Sequence, residues 1–367
     1  MQSPRGNVLV LGAGIAGSAT AAALAERGYR VIIVDSSSEP AASAVPLALM
    51  APYPTRARDP LTRLRTRGLT TTRGWLTRLE QTGLDSGRRS DGVLLIPARP
   101  RDRQRRDRFT ETQDTYRVSP HEAHAHFGVT SPESAVFHAG GACIDPMVFV
   151  GALLRSAGIR RLQARVADLE HRAGQWHALD DAGHVLASAT NVVVAAGYAS
   201  TRFAAAAADQ LTPLRGQATA VTATPETAAL RCAVSHGGYI LPAVDGIHWV
   251  GATATRDDTD GRPRDGDDQH NADRLRQLWP ELEPPRIADR FVAIRATTGS
   301  RLPLIGGLGD GMWLNTGHGS HGLLTAPLAG RMLARAIAQG DPTSRMALKR
   351  SGTKATKPKT SKNPIPT

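Results

Sequence analysis

An α/β fold, in which a parallel βαβ unit is interleaved with an antiparallel sheet, is what this chain predicts, and three observations predict it. The first 35 residues run apolar strand, glycine-rich turn, alanine-rich helix, apolar strand. The middle of the chain holds short segments that alternate apolar and polar residues with period two, as antiparallel strands with one buried face do. The last third runs strand, second glycine-rich turn, long apolar helix. With 367 residues, 41% of them hydrophobic, the chain can bury a large core, as two domains or one interleaved unit.

The opening segment reads VLVLGAGIAGSATAAALAERGYRVIIVD over residues 8–35. Val8–Leu11 makes a buried strand, the helix runs to about Arg27, and a second strand, Val31–Val34, ends on Asp35. Gly12, Gly14 and Gly17 form G-x-G-x-x-G. The first permits a tight turn, the second lets the backbone approach a pyrophosphate, and the third lets helix and strand pack closely. The helix aims its unpaired N–H groups and positive dipole end at that pyrophosphate. Asp35, about 20 residues on, is placed to accept a hydrogen bond from a ribose hydroxyl. The pattern reads as a Rossmann dinucleotide site. Arg5, the apolar stretch and Ala23–Ala25 imitate a signal peptide, but three glycines within the stretch and the strand after it argue against secretion. No other run reaches the ~20 apolar residues that cross a membrane. Cys143 and Cys232 have aliphatic neighbours and read as buried small hydrophobes, not as a disulfide framework. A soluble, cytoplasmic protein is expected.

The formal net charge is +12. Residues 345–367 carry seven Lys or Arg and no acid, so residues 1–344 hold 38 basic against 33 acidic groups. That tail has almost no large apolar residues and reads as disordered. The remaining basic density lies between Arg56 and Arg108. It suits phosphate backbones, since each neutralised phosphate releases counterions; on charge alone a solvated arginine-rich face is the favoured reading.

Residues 61–82 read as an amphipathic helix and 92–97 as a strand ending at a proline. SPHEAHAHFG (119–128) reads as a short polar helix. His121, His124 and His126 have no acids or thiols at ligand spacing beside them, so no metal site is expected. GGACIDP (140–146) is a turn and strand leading into a helix with Pro146 in its first turn, a favoured place for proline. Residues 166–186 read as a small hairpin or meander, and NVVVAAG (191–197) as a buried strand. PLRGQATAV, GGYILPA and HWVGATAT alternate as antiparallel strands. The acid-rich stretch 256–268 misses the calcium-loop pattern and reads as a solvated hairpin connection.

FVAIR places Arg295 at the end of an apolar strand. A further strand, 312–317, leads into HGSHGLLTAPLAG, a glycine-rich turn opening a long helix. Its N-terminus offers free N–H groups suited to an electron-rich ring oxygen or a phosphate. Two such turns at opposite ends of the chain suit one extended cofactor gripped from both ends, which fits FAD better than NAD.

The chain resembles the D-amino-acid oxidase and glycine oxidase type of flavoprotein. Within it, the likeness is greatest to the C-terminal FAD-dependent oxidoreductase domain of the bifunctional tRNA 5-methylaminomethyl-2-thiouridine biosynthesis protein. VLGAGIAG, GGACIDP, VVAAGYAS, PLRGQ, GGYILP, VGAT, IRATTGSRLPLIG and GSHGLLTAPLA carry the resemblance, in that order, over roughly residues 7–342. It implies a Rossmann-type FAD-binding part (about 1–55, 140–212 and 293–344) interleaved with an antiparallel-sheet substrate part (about 56–139 and 213–292). It also implies oxidation at a carbon attached to an amine. In the tRNA family the carboxymethyl group of a wobble carboxymethylaminomethyl-uridine is removed oxidatively. Bifunctional members then methylate the freed amine with a domain not expected within these residues, which makes a separate methyltransferase a candidate partner. Glycine oxidase performs the same chemistry on a free amino acid. The partners implied are therefore tRNA or a small amino-acid substrate, with no membrane.

Both substrates present a carboxylate next to N–CH₂, and a carboxylate is best met by a guanidinium fork. Arg295 matches the family's carboxylate-binding arginine, and Tyr239 a family aromatic over the substrate. His321, with His318, lies by the flavin-facing turn and is a candidate for modulating proton movement. The implied cofactor contacts are Gly12, Gly14, Ile15, Ala16, Gly17, Asp35 and Ser43 near the first turn. Val166, Ala196 and Gly197 follow in the middle of the chain, and Gly317, Gly319, Ser320, His321, Gly322 and Leu323 at the second turn. The chain departs from the family at 41–54. Ser43 is kept, but Ala44, Val45 and Ala48 stand at glycine or polar positions, where any Cβ must fit a close backbone approach. That departure motivates a third reading beside the two enzymes, a flavin-containing protein that binds RNA without turnover.

Overall fold

The computed structural model describes residues 5–36, 41–52 and 59–340. The expected basic tail, and Tyr53 and Pro54 of the divergent stretch, lie outside the described residues.

The fold is α/β, with one mainly parallel sheet, one mainly antiparallel sheet and a small antiparallel one. The six strands of the first run in the order Leu304–Gly309, Met312–Thr316, Asn191–Val194, Asn7–Leu11, Arg30–Asp35, Ile159–Gln163. All neighbours are parallel except the first pair. Successive side chains of these strands serve opposite faces, so both faces need cover. Val8, Val10, Val31 and Ile33 pack into a core with Leu24, Phe149, Leu324 and Leu333 from the helices Ile15–Ala25, Pro146–Leu153 and Gly322–Gln339. Leu9, Leu11 and Val34 point the other way, onto Ala178, Ala187 and Ala189. Those residues belong to a three-stranded meander, Asp168–Arg172, Gln175–Leu179 and Val185–Ala189.

The second large sheet has ten strands. Its spine is a long antiparallel pair, Leu211–Thr222 with Ile287–Thr298, in register from Leu211 opposite Thr298. The expected part boundaries at about 140 and 293 fall inside the strands Ala135–Ile144 and Ile287–Thr298 of this sheet. The helix Pro60–Gln81 starts on Asp59, whose side chain accepts from Thr62 N, with proline in its first turn. Gly68 on this helix meets Leu324 so closely that a Cβ there would lie 1.5 Å from the Leu324 carbonyl oxygen. The short helix Pro120–Phe127 carries a reciprocal Ser119–Glu122 capping box and ends on left-handed Gly128, and its three histidines are exposed. Cys143 and Cys232 are free and buried, and burial pushes each thiol up to about 12.

One sequence expectation is overturned. The acid-rich stretch 256–268 is not a plain solvated connection, since its last residues open the helix Asp265–Leu278. The loop before that helix is folded around Arg215, whose side chain is fully buried. Arg215 Nε donates to the carbonyl of Asp260 at 2.8 Å and Nη2 to that of Arg262 at 2.7 Å, while Nη1 pairs with Asp267. Strand periodicity gives Arg215 an outward or inward face but no partner, and except for Gln217, two residues on, its partners come from 45 or more residues away.

Candidate functional site

A cavity of about 1260 Å³ opens where the parallel strands end and is closed on its other side by the long antiparallel pair. Ligands of open α/β sheets bind outside the carboxyl ends of the strands in this way. The first turn supplies one end. At Gly12, with φ 96°, a Cβ would stand 2.6 Å from the carbonyl oxygen of Ala195, so the two strand ends approach to a distance only glycine permits. Gly17 does not line the cavity. A Cβ on it would sit 1.8 Å from Gly12 O, which fits the helix-against-turn packing expected of the third glycine.

Asp35 Oδ2 accepts from Ala13 N at 2.7 Å, so one carboxylate oxygen is turned to the backbone of the turn itself. Ser43 Oγ accepts from Ile15 N at 3.0 Å. Gly14 offers the helix no side-chain cap, and the helix start faces the cavity. Gly12, Gly14, Ile15, Ala16, Asp35 and Ser43 all line this wall. Val166, Ala196 and Gly197 line it farther along. Of the divergent residues, Val45 and Ala48 line the cavity and Ala44 does not; the Cβ atoms that replace glycine leave the cavity open.

The second turn supplies the opposite wall, through Gly317, Gly319, Ser320, His321, Gly322 and Leu323. Its anchor is Asn315, buried, which donates to Thr20 Oγ1 at 2.9 Å and to Ala16 O at 3.2 Å. With its amide nitrogen so committed, Asn315 Oδ1 is left to accept from His318 Nε2 at 2.9 Å. Burial pushes the His318 imidazole down to about 3, so it is neutral with its proton assigned to Nε2. Its Nδ1 lies 2.8 Å from Thr325 Oγ1, whose hydroxyl donates to the His321 carbonyl oxygen at 2.9 Å. His321 is likewise neutral, pushed down to about 3 by burial and by Arg65, Arg295 and Arg301. At neutral pH both rings can accept a proton only at a cost.

Arg295 and Tyr239 come together on the antiparallel wall. Arg295 Nη1 donates to Ser320 Oγ at 2.7 Å and Nη2 to Thr253 O at 2.9 Å. Among the described residues no carboxylate pairs with it. Burial lowers its pKa below the ordinary guanidinium value, which still leaves it charged. Room for the guanidinium comes from Gly216, where a Cβ would lie 1.8 Å from Arg295 Nη2. Burial pushes the Tyr239 phenol up to about 12, against the opposing pull of Arg295 and Arg274, so its hydroxyl keeps its proton. A cation beside a neutral donor, on the wall of a largely apolar cavity, has the chemistry to accept a small carboxylate.

Sequence reading missed Gly216, the Thr253 carbonyl and Arg274. The first two sit in PLRGQ and VGAT, motifs that mark the fold without disclosing which atoms meet Arg295. Arg274, on the helix Asp265–Leu278, is buried, donates to Asn271 Oδ1 at 2.8 Å, and lies behind Gly238 and Tyr239. Among the described residues no cluster of three His, Cys, Asp or Glu side chains is placed to hold a metal ion. No helix among them is long and apolar enough to cross a membrane.

A family model described as DAO, FAD dependent oxidoreductase, matches residues 7–336. A tRNA 5-methylaminomethyl-2-thiouridine biosynthesis bifunctional protein of Polaromonas sp. is 33% identical over 363 residues, 90% of this chain and 56% of that protein. The protein of the same description from Stutzerimonas stutzeri is 33% identical over 367 residues, covering 89% of this chain and 55% of its own length. The chain thus spans about half the length of the curated relatives it matches. Among solved structures, glycine oxidase from Bacillus cereus superposes with a TM-score of 0.78 at 23% identity, over 92% of this chain and 95% of that one. Iminodiacetate oxidase from Chelativorans sp. gives 0.76 at 24% identity, over 91% and 96%. At these identities the structural likeness establishes the fold.

Proposed function

This chain belongs to the DAO family of FAD-dependent oxidoreductases, and from that premise we propose that it oxidises the methylene carbon of an N–CH₂–carboxylate unit. The substrate we favour is the carboxymethylaminomethyl group of a wobble uridine in tRNA. The observation that carries this reading is Arg295, a cation with no acid partner among the described residues, fixed by Ser320 and Thr253 and facing the cavity beside Tyr239. The residues lining the two turns fit FAD: a glycine approach at Gly12, a helix start at Ile15 that faces the cavity beside Ser43, and a second helix start at Gly322.

In this reading the Arg295 fork takes the substrate carboxylate and the Tyr239 hydroxyl donates to it, which fixes the methylene group in one orientation. The chemistry supplied by bound FAD is acceptance of a hydride from that carbon. The amine must be neutral for the hydride to leave, and neutral His318 and His321 put no competing positive charge on that wall. Water then adds to the resulting carbon–nitrogen double bond, releasing glyoxylate and leaving the aminomethyl base. No strong protein base is needed, so positioning is what the chain contributes.

A small-molecule amine or amino-acid oxidase is the second reading, since free glycine carries the same fragment. The arginine-rich helices Pro60–Gln81 and Pro100–Arg108 favour the polynucleotide. Anaerobic mixing of the flavoprotein with tRNA bearing carboxymethylaminomethyl-uridine, and separately with glycine or sarcosine, decides between them. Flavin bleaching by the tRNA, with the aminomethyl base as product, supports the first reading. Bleaching by the small amines alone refutes it in favour of the second, and no bleaching by either leaves a binding protein.

A further inference from the structure

A second pocket, of about 410 Å³, adjoins the first and is lined by Asp59, Thr62, Arg65, Arg105, Ser300 and Arg301 among others. Several half-buried arginines among the described residues are paired with acids: Arg88 with Glu80, Arg106 with Glu133, Arg264 with Asp258. Arg65 and Arg301 are not. Neither guanidinium makes an ion pair or a hydrogen bond among the described residues, and Arg65 Nε is buried without a partner. The one carboxylate in the pocket, Asp59, is committed to Thr62, accepting from its N at 3.0 Å and its Oγ1 at 2.7 Å. Two like charges with unfilled donors share one concavity, an arrangement that an anion with several acceptor oxygens relieves. Arg301 is also held at φ 63°, a left-handed backbone that side-chain-bearing residues seldom adopt and that is found where the surroundings impose it.

The pocket's position gives it a meaning. Arg65 precedes Gly68 by one helical turn, and Gly68 is the residue that touches Leu324 in the first turn of the helix behind His321. Arg301 follows by six residues the Arg295 that faces the catalytic cavity. His321 lies within electrostatic reach of Arg65, Arg295 and Arg301 together. The unpaired cations therefore stand beside the cavity and outside it, about where the chain of a large substrate leaves its reacting group.

We propose that this pocket is a phosphate subsite, in which Arg65 and Arg301 grip the non-bridging oxygens of a backbone phosphodiester next to the nucleotide being oxidised. The assignment rests on the tRNA reading above. Free inorganic phosphate offers the same oxygens, and the test separates the two sources.

The wild-type holoenzyme, Arg301→Gln and Arg65→Gln are compared on an anticodon stem-loop carrying the modified uridine and on the same modified nucleoside without phosphates, across a salt series. Both variants are expected to raise KM for the stem-loop about tenfold or more, as loss of a hydrogen bond to a charged group does. The slope of log kcat/KM against log salt should become shallower by roughly 0.7 to 0.9, with FAD content unchanged and the penalty absent from the nucleoside. Arg301 is exposed, so its variant folds even if Arg65→Gln does not. Unchanged KM and slope in Arg301→Gln, with the stem-loop still oxidised, overturns the subsite and leaves the tRNA reading standing. An equal penalty on the nucleoside also overturns it, by placing the arginines on the reacting group. If neither stem-loop nor nucleoside is oxidised, the tRNA reading falls. Calorimetric binding of inorganic phosphate by wild type and not by Arg301→Gln would then make this a free-phosphate site and refute the strand assignment.

Discussion

Asn315 donates through Nδ2 to the carbonyl oxygen of Ala16 at 3.2 Å, across 299 residues of sequence. The same amide reaches Thr20, and its oxygen takes the His318 proton. The two glycine-rich turns are therefore one mechanical unit with a single buried side chain between them. Asn315→Ala takes from His318 Nε2 the acceptor the structure gives it, at about 1–3 kcal/mol for a buried unsatisfied group, while the Ala16 carbonyl keeps its bond from Thr20 Oγ1. Thermal unfolding of the apoprotein should show a lowered Tm, and equilibrium dialysis a weaker hold on FAD. An FAD affinity equal to wild type would show that the two turns are positioned independently.

Gly216 exists for Arg295. In Gly216→Ala the new methyl claims the space of Arg295 Nη2, and since a flexible guanidinium yields more readily than a backbone, the fork moves. The expected result is a carboxylate-substrate KM raised about tenfold or more, with Tm and FAD content near those of wild type. Arg295→Ala should do the same more severely. Unchanged KM in Arg295→Ala would remove the carboxylate receptor from the mechanism.

Gly68→Ala addresses packing instead. Its methyl would have to occupy the Leu324 carbonyl, and because both sides are helix backbone, one helix must shift. Overpacking of this kind costs about 1–3 kcal/mol, sometimes more. Denaturant unfolding reads the loss directly, while Gly74→Ala, which meets open space on the same helix, should be neutral or mildly stabilising.

The pH dependence of stability follows from His318 and His321. Each is pushed down to about 3 in the folded protein, against about 6.5 in an unfolded chain. Between those values the unfolded state binds protons that the native state refuses. Stability is therefore full above about pH 6.5, falls as the pH drops, and levels near 3. The slope is at most about 1.4 kcal/mol per pH unit per imidazole, lessened where solvent reaches the ring. Tm measured at pH 7 and pH 5 should differ less in His318→Asn than in wild type; an equal difference would mean His318 is protonated in the fold.

What the sequence disclosed and what it withheld divide along the range of the contacts. The first turn was legible because its three glycines, Gly12, Gly14 and Gly17, fall within six residues of one another, although the contact that demands Gly12 comes from Ala195. Arg295 was legible only as a residue type at a family position. Its freedom from acids and the space made by Gly216 depend on pairing between Leu211–Thr222 and Ile287–Thr298, which no short window contains. Arg215 shows the limit. It sits in a strand with clean alternation, yet its fully buried fork is satisfied by carbonyl oxygens of residues 260 and 262, so an acid-rich stretch that reads as solvent-facing is in fact pinned. The helix contact of Gly68 with Leu324 was hidden for the same reason.

The Arg215 anchorage bears on how this protein can diversify. Thr259 and Gly261, in the pinned loop, form part of the cavity wall, while two of the bonds that Arg215 gives that loop end on main-chain oxygens. Main-chain acceptors are the same whatever side chain a residue carries. Lineages or engineers can therefore rewrite the exposed side chain at 262, changing the charge offered to an arriving substrate, while Asp260, whose carboxylate also holds Arg262 N and Arg264, keeps the outline of the entrance.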